Sequence, residues 1–314
     1  MFDFGIKKSI SYPFPVICVG NLSTGGTGKT PMIEYLIKVL KKDYRVATLS
    51  RGYKRQSKGF LLANTTSTVN DLGDEPFQFY NKFKEDAIVA VDADRNNGIK
   101  NLKQLKKDLE VVLLDDAFQH RYVNAGLNIL LTTYSNLYTS DILLPTGNLR
   151  EPRGGARRAQ IIVITKCPEV ITKMDKDRIL SRINPLAYQD VFFSRITYSN
   201  KVYGASGTLE FAYLPENFTL VTGIANASPL VRFLEGKGML FEHLNYDDHY
   251  NFTNEDLNTF KEKSCILTTE KDYMRLKQYN SISGKLYYLP IEVVIDRPQF
   301  FEERIIKFMK SFKN

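Results

Sequence analysis

Lys29 and Thr30 close the stretch Ser23-Thr24-Gly25-Gly26-Thr27-Gly28-Lys29-Thr30. Residues of these types in this order can hold phosphate. Glycines let the backbone turn tightly with its N–H groups facing inward. A lysine there reaches the outer phosphates of a nucleotide, and the threonine hydroxyl can sit on Mg²⁺. The apolar run Val16-Ile17-Cys18-Val19 precedes the stretch, and Met32, Ile33, Leu36, Ile37 and Leu40 follow at helical spacing. Strand, loop and helix in that order form a phosphate-binding loop, with the positive end of the helix at the same spot. The strict pattern GxxxxGK[ST] has glycine where this chain has Ser23, so Gly25 and Gly26 supply the flexibility.

Phosphoryl transfer further needs a metal ligand, an acceptor oxygen held in place and usually a base. Asp115 and Asp116 end the apolar run Val111-Val112-Leu113-Leu114. Carboxylates at a strand end can hold Mg²⁺ beside the Thr30 hydroxyl. The candidates for positioning the acceptor are Asp94, just past another apolar run, and His249 in Asp247-Asp248-His249-Tyr250. His120 follows Phe118-Gln119 directly after the aspartate pair and is placed to touch nucleotide or substrate. Arg150 lies in a loop between Pro145 and Pro152, where its charge could neutralise a transferring phosphoryl group.

These residues need a scaffold, and the first half of the chain supplies one. Apolar strand candidates at Arg45–Ser50, Ala87–Asp92, Val111–Asp115, Leu127–Thr132 and Gln160–Thr165 alternate with helical segments, one of them predicted over roughly Gly98–Leu109. Continuous apolar runs mark a parallel sheet covered on both faces. Strands alternating with helices give a doubly wound α/β sheet, whose ligands bind beyond the C-terminal strand ends. Past about residue 190 the texture changes. A further α/β unit is expected from Phe218–Gly223, a helix from Pro229 to Leu234, Cys265–Thr269, and one last strand running from Leu286 to Ile295. The expected organisation is a P-loop NTPase-like, mostly parallel core over 1–195 and a smaller α/β domain over 200–295. The final helix, 297–314, is expected to return to the core.

Composition narrows the classes. The 314 residues are 43% hydrophobic and 25% charged, enough for sizeable cores. A net charge of +8 favours anionic partners without choosing among them. No basic-aromatic repeat or nucleic-acid motif accompanies it, so nucleic acid is not an expected partner. Cys18, Cys167 and Cys265 stand far apart, which leaves no zinc-binding pair.

Taken together the motifs resemble one family, tetraacyldisaccharide 4'-kinase, the lipid A 4'-kinase of Gram-negative bacteria. The resemblance runs from about Val16 to Ile295. It rests on Val19-Gly20-Asn21 with the loop through Pro31, Leu49-Ser50-Arg51-Gly52-Tyr53, Gly73-Asp74-Glu75-Pro76, Asp94-Arg95 and Asp115-Asp116-Ala117-Phe118-Gln119-His120. Leu144 through Pro152, Asp248-His249 and Thr269-Glu270-Lys271-Asp272 complete it. The resemblance implies an ATP- and Mg²⁺-dependent kinase acting on the 4'-hydroxyl of an acylated glucosamine disaccharide 1-phosphate, in a cleft between two α/β domains. It implies that residues 23–30 bind ATP, that Thr30, Asp115 and Asp116 bind the metal, and that Asp94 is the general base with His249 as partner. Gln119, His120, Arg150 and Glu151 match further active-site positions. It also implies a peripheral protein on the cytoplasmic face of the anionic inner membrane. Family members usually begin with an additional amphipathic segment; about fifteen residues precede the first strand here, so that segment is expected to be short or missing, or the start to lie upstream. Ala117 departs from the family, which usually has glycine there.

The competing reading is a P-loop GTPase or ATPase switch of the metallochaperone or partitioning type. Thr24 stands where the partitioning type carries lysine, and Thr165-Lys166-Cys167-Pro168 is a poor match to a guanine-reading motif.

Overall fold

The apolar runs of the first half become strands buried on both faces. The computed structural model describes residues 2, 7–248 and 250–312. In chain order they form β1 (Val16–Asn21), α1 (Lys29–Leu40), β2 (Val46–Ser50), β3 (Leu61–Leu62), α2 (Val69–Leu72), α3 (Asp74–Phe83), β4 (Ala87–Val91), α4 (Arg95–Leu105), β5 (Val111–Asp115), β6 (Leu127–Thr133), β7 (Ile161–Thr165), α5 (Lys173–Ile183) and β8 (Asp190–Tyr198). There follow β9 (Lys201–Gly204), β10 (Gly207–Glu210), β11 (Phe218–Thr222), α6 (Ser228–Gly236), β12 (Phe241–Asn245), α7 (Asn254–Lys261), β13 (Ile266–Thr269), α8 (Glu270–Leu276), α9 (Asn280–Ser283), β14 (Leu286–Leu289), β15 (Ile291–Ile295) and α10 (Pro298–Lys310).

The chain divides into two compact units, Met1–Ile196 with Val293–Asn314, and Thr197–Glu292. The first unit is built on a sheet in the order β15-β8-β7-β6-β1-β5-β2-β4-β3. Strands β8 through β4 in that order pair in parallel, and β3 is antiparallel to β4. From β1 the chain builds β2 and β4 to one side, inserts β5, then crosses β1 to build β6, β7 and β8. That reversal makes the carboxyl ends of β1 and β5 the switch point where such sheets bind ligands.

Period-two alternation sorts each strand's side chains between two cores. Val16 and Cys18 of β1 join Leu49, Ile99, Leu102, Val112 and Leu114 on one face. Ile17 and Val19 join Met32, Ile33, Leu36 and Ile37 of α1 on the other, together with Phe301, Ile305 and Met309 of α10. Helix α10 therefore packs on the first unit. The five apolar residues of α1 foreseen from their spacing are all buried. Truncating one of them to alanine costs about 2–5 kcal/mol at such sites, which fixes the helix, and with it Lys29, against β1.

The second unit carries a sheet in the order β10-β9-β14-β13-β11-β12, parallel from β14 to β12. Phe218, Leu220, Leu230, Leu234 and Leu267 centre its core.

Three sequence expectations shift. The last strand is two strands, β14 and β15, in different sheets and broken at Pro290, which has no N–H to give a ladder. Helix α4 starts at Arg95 rather than near Gly98 because Asp94 caps it. The hairpin of β9 and β10 went unread: both strands are four residues long and partly polar, and β10 opens after the turn on Gly207 at φ +116°.

Candidate active site

Parallel register sets the geometry. Val19 of β1 pairs with Asp115 of β5, so the phosphate-loop strand and the aspartate pair end level with each other. The loops leaving the two strands touch closely. A Cβ on Gly20 would meet Phe118 Cβ at 2.6 Å, so only glycine fits there without a shift.

The loop 23–30 leads into α1, whose N-terminus no side chain caps and whose first turn contains no acidic residue. Its N-terminal N–H groups and dipole are thus left for an anion. Gly25 and Gly28 take the left-handed conformation, φ +95° and +90°. Thr27 is buried: Thr165 Oγ1 donates to its carbonyl at 2.7 Å, and Asn21 Nδ2 donates to its hydroxyl at 2.7 Å. Ser23 bridges to Leu149, and the Thr24 N–H donates to the Asn148 carbonyl at 2.8 Å, so residues 22–24 lie along the proline-flanked loop.

Two cations meet Asp116. Lys29 Nζ stands 3.7 Å from Asp116 Oδ2, and Arg150 binds both carboxylate oxygens, at 2.8 and 3.3 Å. Burial raises the Asp116 pKa, but the hydrogen bond from Arg150 and the charges of Lys29 and Arg150 bring it below the ordinary carboxylate value. Asp115 goes the other way. Burial, then the neighbouring Asp116 charge, push its pKa up to about 6. Ser50 Oγ donates to Asp115 Oδ2 at 3.1 Å, while Oδ1 is buried with no hydrogen-bond partner among the described residues.

Gln119 Nε2 donates to the Asn21 carbonyl at 2.7 Å and to Glu151 Oε1 at 2.9 Å. Arg158 closes this arm with two bonds to Glu151, at 2.8 and 2.7 Å. His120 is half-buried. Burial lowers its pKa, Arg95 and Arg51 act in the same direction and Asp94 and Asp92 oppose them, a balance that favours the neutral imidazole. Its Nε2, Gln119 Oε1 and Arg150 Nε are, like Asp115 Oδ1, buried atoms without a partner among the described residues. Unpaired polar atoms are rare in folded cores, and these four belong to residues at or just past the end of β5 and in the proline-flanked loop, where a polar ligand could satisfy them.

Asp94 is not hydrogen-bonded into this group. Its Oδ1 accepts from the N–H groups of Asn96 and Asn97 as the N-cap of α4, and the residue is exposed. Arg95, 2% exposed, lies beneath and donates to the carbonyls of Asp92 and Asp115. His249 lies outside the described residues.

Comparison with known proteins ties this geometry to one family. The chain matches the tetraacyldisaccharide-1-P 4'-kinase family over residues 1–310. It belongs to that family. It is 48% identical over 316 residues to a tetraacyldisaccharide 4'-kinase of Flavobacterium johnsoniae, covering 99% of this chain and 92% of the relative. A Bacteroides fragilis kinase of the same name is 44% identical, with 99% and 88% covered. Among solved structures, LpxK from Aquifex aeolicus in complex with ATP superposes with a TM-score of 0.78 at 31% identity, over 98% of this chain and 92% of that one.

The backbone accommodates Ala117. The residue of positive φ is Asp116, at +47°, whereas Ala117 is not among the positive-φ residues and is buried. The Thr269–Asp272 marker has a structural task in the second unit. Thr269 caps α8 by accepting from the Asp272 N–H, and the buried Asp272 carboxylate accepts from Gly223 N–H at 2.9 Å. Sequence reasoning met Asn21 and Arg95 only inside the family's motifs and gave them no role of their own, because an asparagine ending an apolar run reads as a turn residue and an arginine at a helix start as solvated charge.

Proposed function

We propose that the chain is an ATP-dependent kinase that transfers the γ-phosphoryl group of ATP to the 4'-hydroxyl of an acylated glucosamine disaccharide 1-phosphate. The observation that carries this reading is the pairing of an uncapped α1 N-terminus and Lys29 with the strand-end pair Asp115 and Asp116, in a chain matched to this kinase family from end to end.

In this reading the loop 23–30 holds the phosphates through backbone N–H groups other than those of Thr24 and Thr27, which bond to Asn148 and Gly25, and Lys29 reaches the outer ones. Arg150 adds a second positive charge where charge develops on the transferring group. Thr30, Asp115 and Asp116 are hard oxygen donors suited to Mg²⁺. The unpartnered buried Oδ1 of Asp115 fits that use, whereas Asp116 is engaged by Arg150 and Lys29. When bound, the cation would neutralise phosphate charge. Asp94 takes the proton of the attacking hydroxyl on Oδ2, the oxygen its cap does not use. His120, Gln119 and Glu151 complete the site in this reading.

In this reading the protein works at an anionic lipid surface, supported by the acylated substrate class and by a net charge of +8. No described helix is long and apolar enough to cross a membrane. The test is incubation with γ-labelled ATP and a panel of acylated disaccharide phosphates. Label is expected at the 4'-position of the disaccharide 1-phosphate. ATP hydrolysis that ignores every disaccharide would overturn the reading in favour of a nucleotide switch.

A further inference from the structure

Asn21 is the last residue of β1 and is 0% exposed. Its amide and its carbonyl are shared among the phosphate loop, Arg150 and Gln119. Its Nδ2 donates to Thr27 Oγ1 in the phosphate loop at 2.7 Å. Its Oδ1 accepts from Arg150 Nη2. Its carbonyl accepts from Gln119 Nε2 at 2.7 Å and from Arg150 Nη2 at 3.4 Å. Three segments far apart in sequence, at residues 27, 119 and 150, converge on one side chain and its peptide.

We propose that Asn21 is the positioning residue that seats the Arg150 guanidinium beside the phosphate loop, and that its neutrality is the property that matters. This rests on the reading of Arg150 above. The chemistry argues for an amide. Arginine offers donors only, so Oδ1 must face it, and Nδ2 then faces the Thr27 hydroxyl, which can accept. A carboxylate would hold Arg150 equally well in shape. It would also give the guanidinium a second anionic partner besides Asp116, cancelling charge meant for phosphate. An aliphatic residue would leave both Thr27 and Arg150 without this partner. The amide orients without neutralising, and it links Arg150 to the loop that binds the nucleotide. Asn21 touches no reacting atom in this account. It acts through Arg150, and misplacing a catalytic group by about 1 Å costs on the order of 10²-fold in rate.

The test is a double-mutant cycle in the full chain, reading kcat, the KM for ATP and the melting temperature. Asn21→Ala is expected to lower kcat by roughly 10²-fold with little change in KM. In an Arg150→Ala background the same substitution is expected to cost almost nothing further, because the group it seats is gone. Asn21→Asp keeps shape and lets the Thr27 hydroxyl turn to donate, so it is expected to fold and bind a non-hydrolysable ATP analogue yet lose kcat comparably. Should Asn21→Ala fail to fold, the aspartate variant carries the same cycle. Losses that multiply independently with Arg150→Ala overturn the inference while leaving the role of Arg150 standing. Full activity of Asn21→Asp likewise overturns it. An unimpaired Arg150→Ala enzyme overturns both.

Discussion

Lys29 Nζ and Asp116 Oδ2 stand 3.7 Å apart, and neither side chain is fully buried. An ion pair at that distance and exposure is worth about 0–1 kcal/mol, too little to explain a lysine at the first position of a helix whose N-terminus already repels cations. The arrangement makes sense as a charge held ready for phosphate.

Lys29→Ala should therefore separate function from folding. Removing a donor aimed at developing charge costs ~10²–10³-fold in kcat, while the melting temperature should move by no more than a few degrees, about what 1 kcal/mol produces in a chain of this size. Labelled-ATP turnover and a thermal melt on the same preparation check it. Normal turnover in a folded variant would remove the phosphate-loop assignment.

Asp115 and Asp116 predict opposite pH effects. The Asp115 pKa is raised to about 6 from the ordinary 3.8, by burial first and the Asp116 charge second. Its ionisation therefore costs stability: the penalty is absent below about 4, grows as pH rises, and is complete above about 6. A shift of this size is worth on the order of 3 kcal/mol. Asp115→Asn should abolish transfer yet be more resistant to urea than the parent at pH 7.5, with the advantage shrinking at pH 4.5. Equal midpoint differences at both pH values would contradict this. Asp116, held low by Arg150 and Lys29, instead contributes stability that is lost as pH falls through its depressed pKa.

Gly20→Ala tests the close approach of the two strand-end loops. The new Cβ would sit 2.6 Å from Phe118 Cβ and 3.0 Å from Phe118 N, contacts with main-chain-anchored atoms that cannot swing away. Overpacking of this kind costs about 1–3 kcal/mol. Because Phe118 directly precedes Gln119 and His120, kcat should fall along with the melting temperature. A variant with unchanged melting and rate would show that the loops part freely.

The elements easiest to read in the sequence were those decided locally. Continuous apolar runs gave β1, β2, β4, β5, β6 and β7, since a strand buried on both faces has no polar side to show. The spacing Met32 to Leu40 gave α1 and its buried face for the same reason. Asp115 and Asp116 were legible because a strand end follows directly from the run before it. Arg150 bound to Asp116 and Asn21 was not, because 34 and 129 residues separate these partners and no pattern within the loop encodes them. Asp94 was half legible. Its place past a strand showed, but its capping of α4 did not, because the basic, polar start of that helix hides its onset.

That second task of Asp94 makes its substitutions informative. The carboxylate holds the N–H groups of Asn96 and Asn97 through Oδ1, and in the proposed reaction accepts the sugar hydroxyl proton on Oδ2. Asparagine caps a helix about as well as aspartate but cannot take a proton at neutral pH. Asp94→Asn should then keep the parent melting temperature and lower kcat by ~10²–10⁴-fold, the usual contribution of a general base. Asp94→Ala should lose the same rate and, in addition, about 1 kcal/mol of stability with the cap. The family resemblance pairs Asp94 with His249, and kinetics can test that pairing directly. If His249 acts through the Asp94 carboxylate, adding His249→Ala to Asp94→Asn should cost far less than His249→Ala does alone. Multiplicative losses would make the two residues independent. An Asp94→Asn enzyme with full kcat would leave Asp94 as a helix cap and nothing more, and the proton acceptor would have to be sought elsewhere in the site.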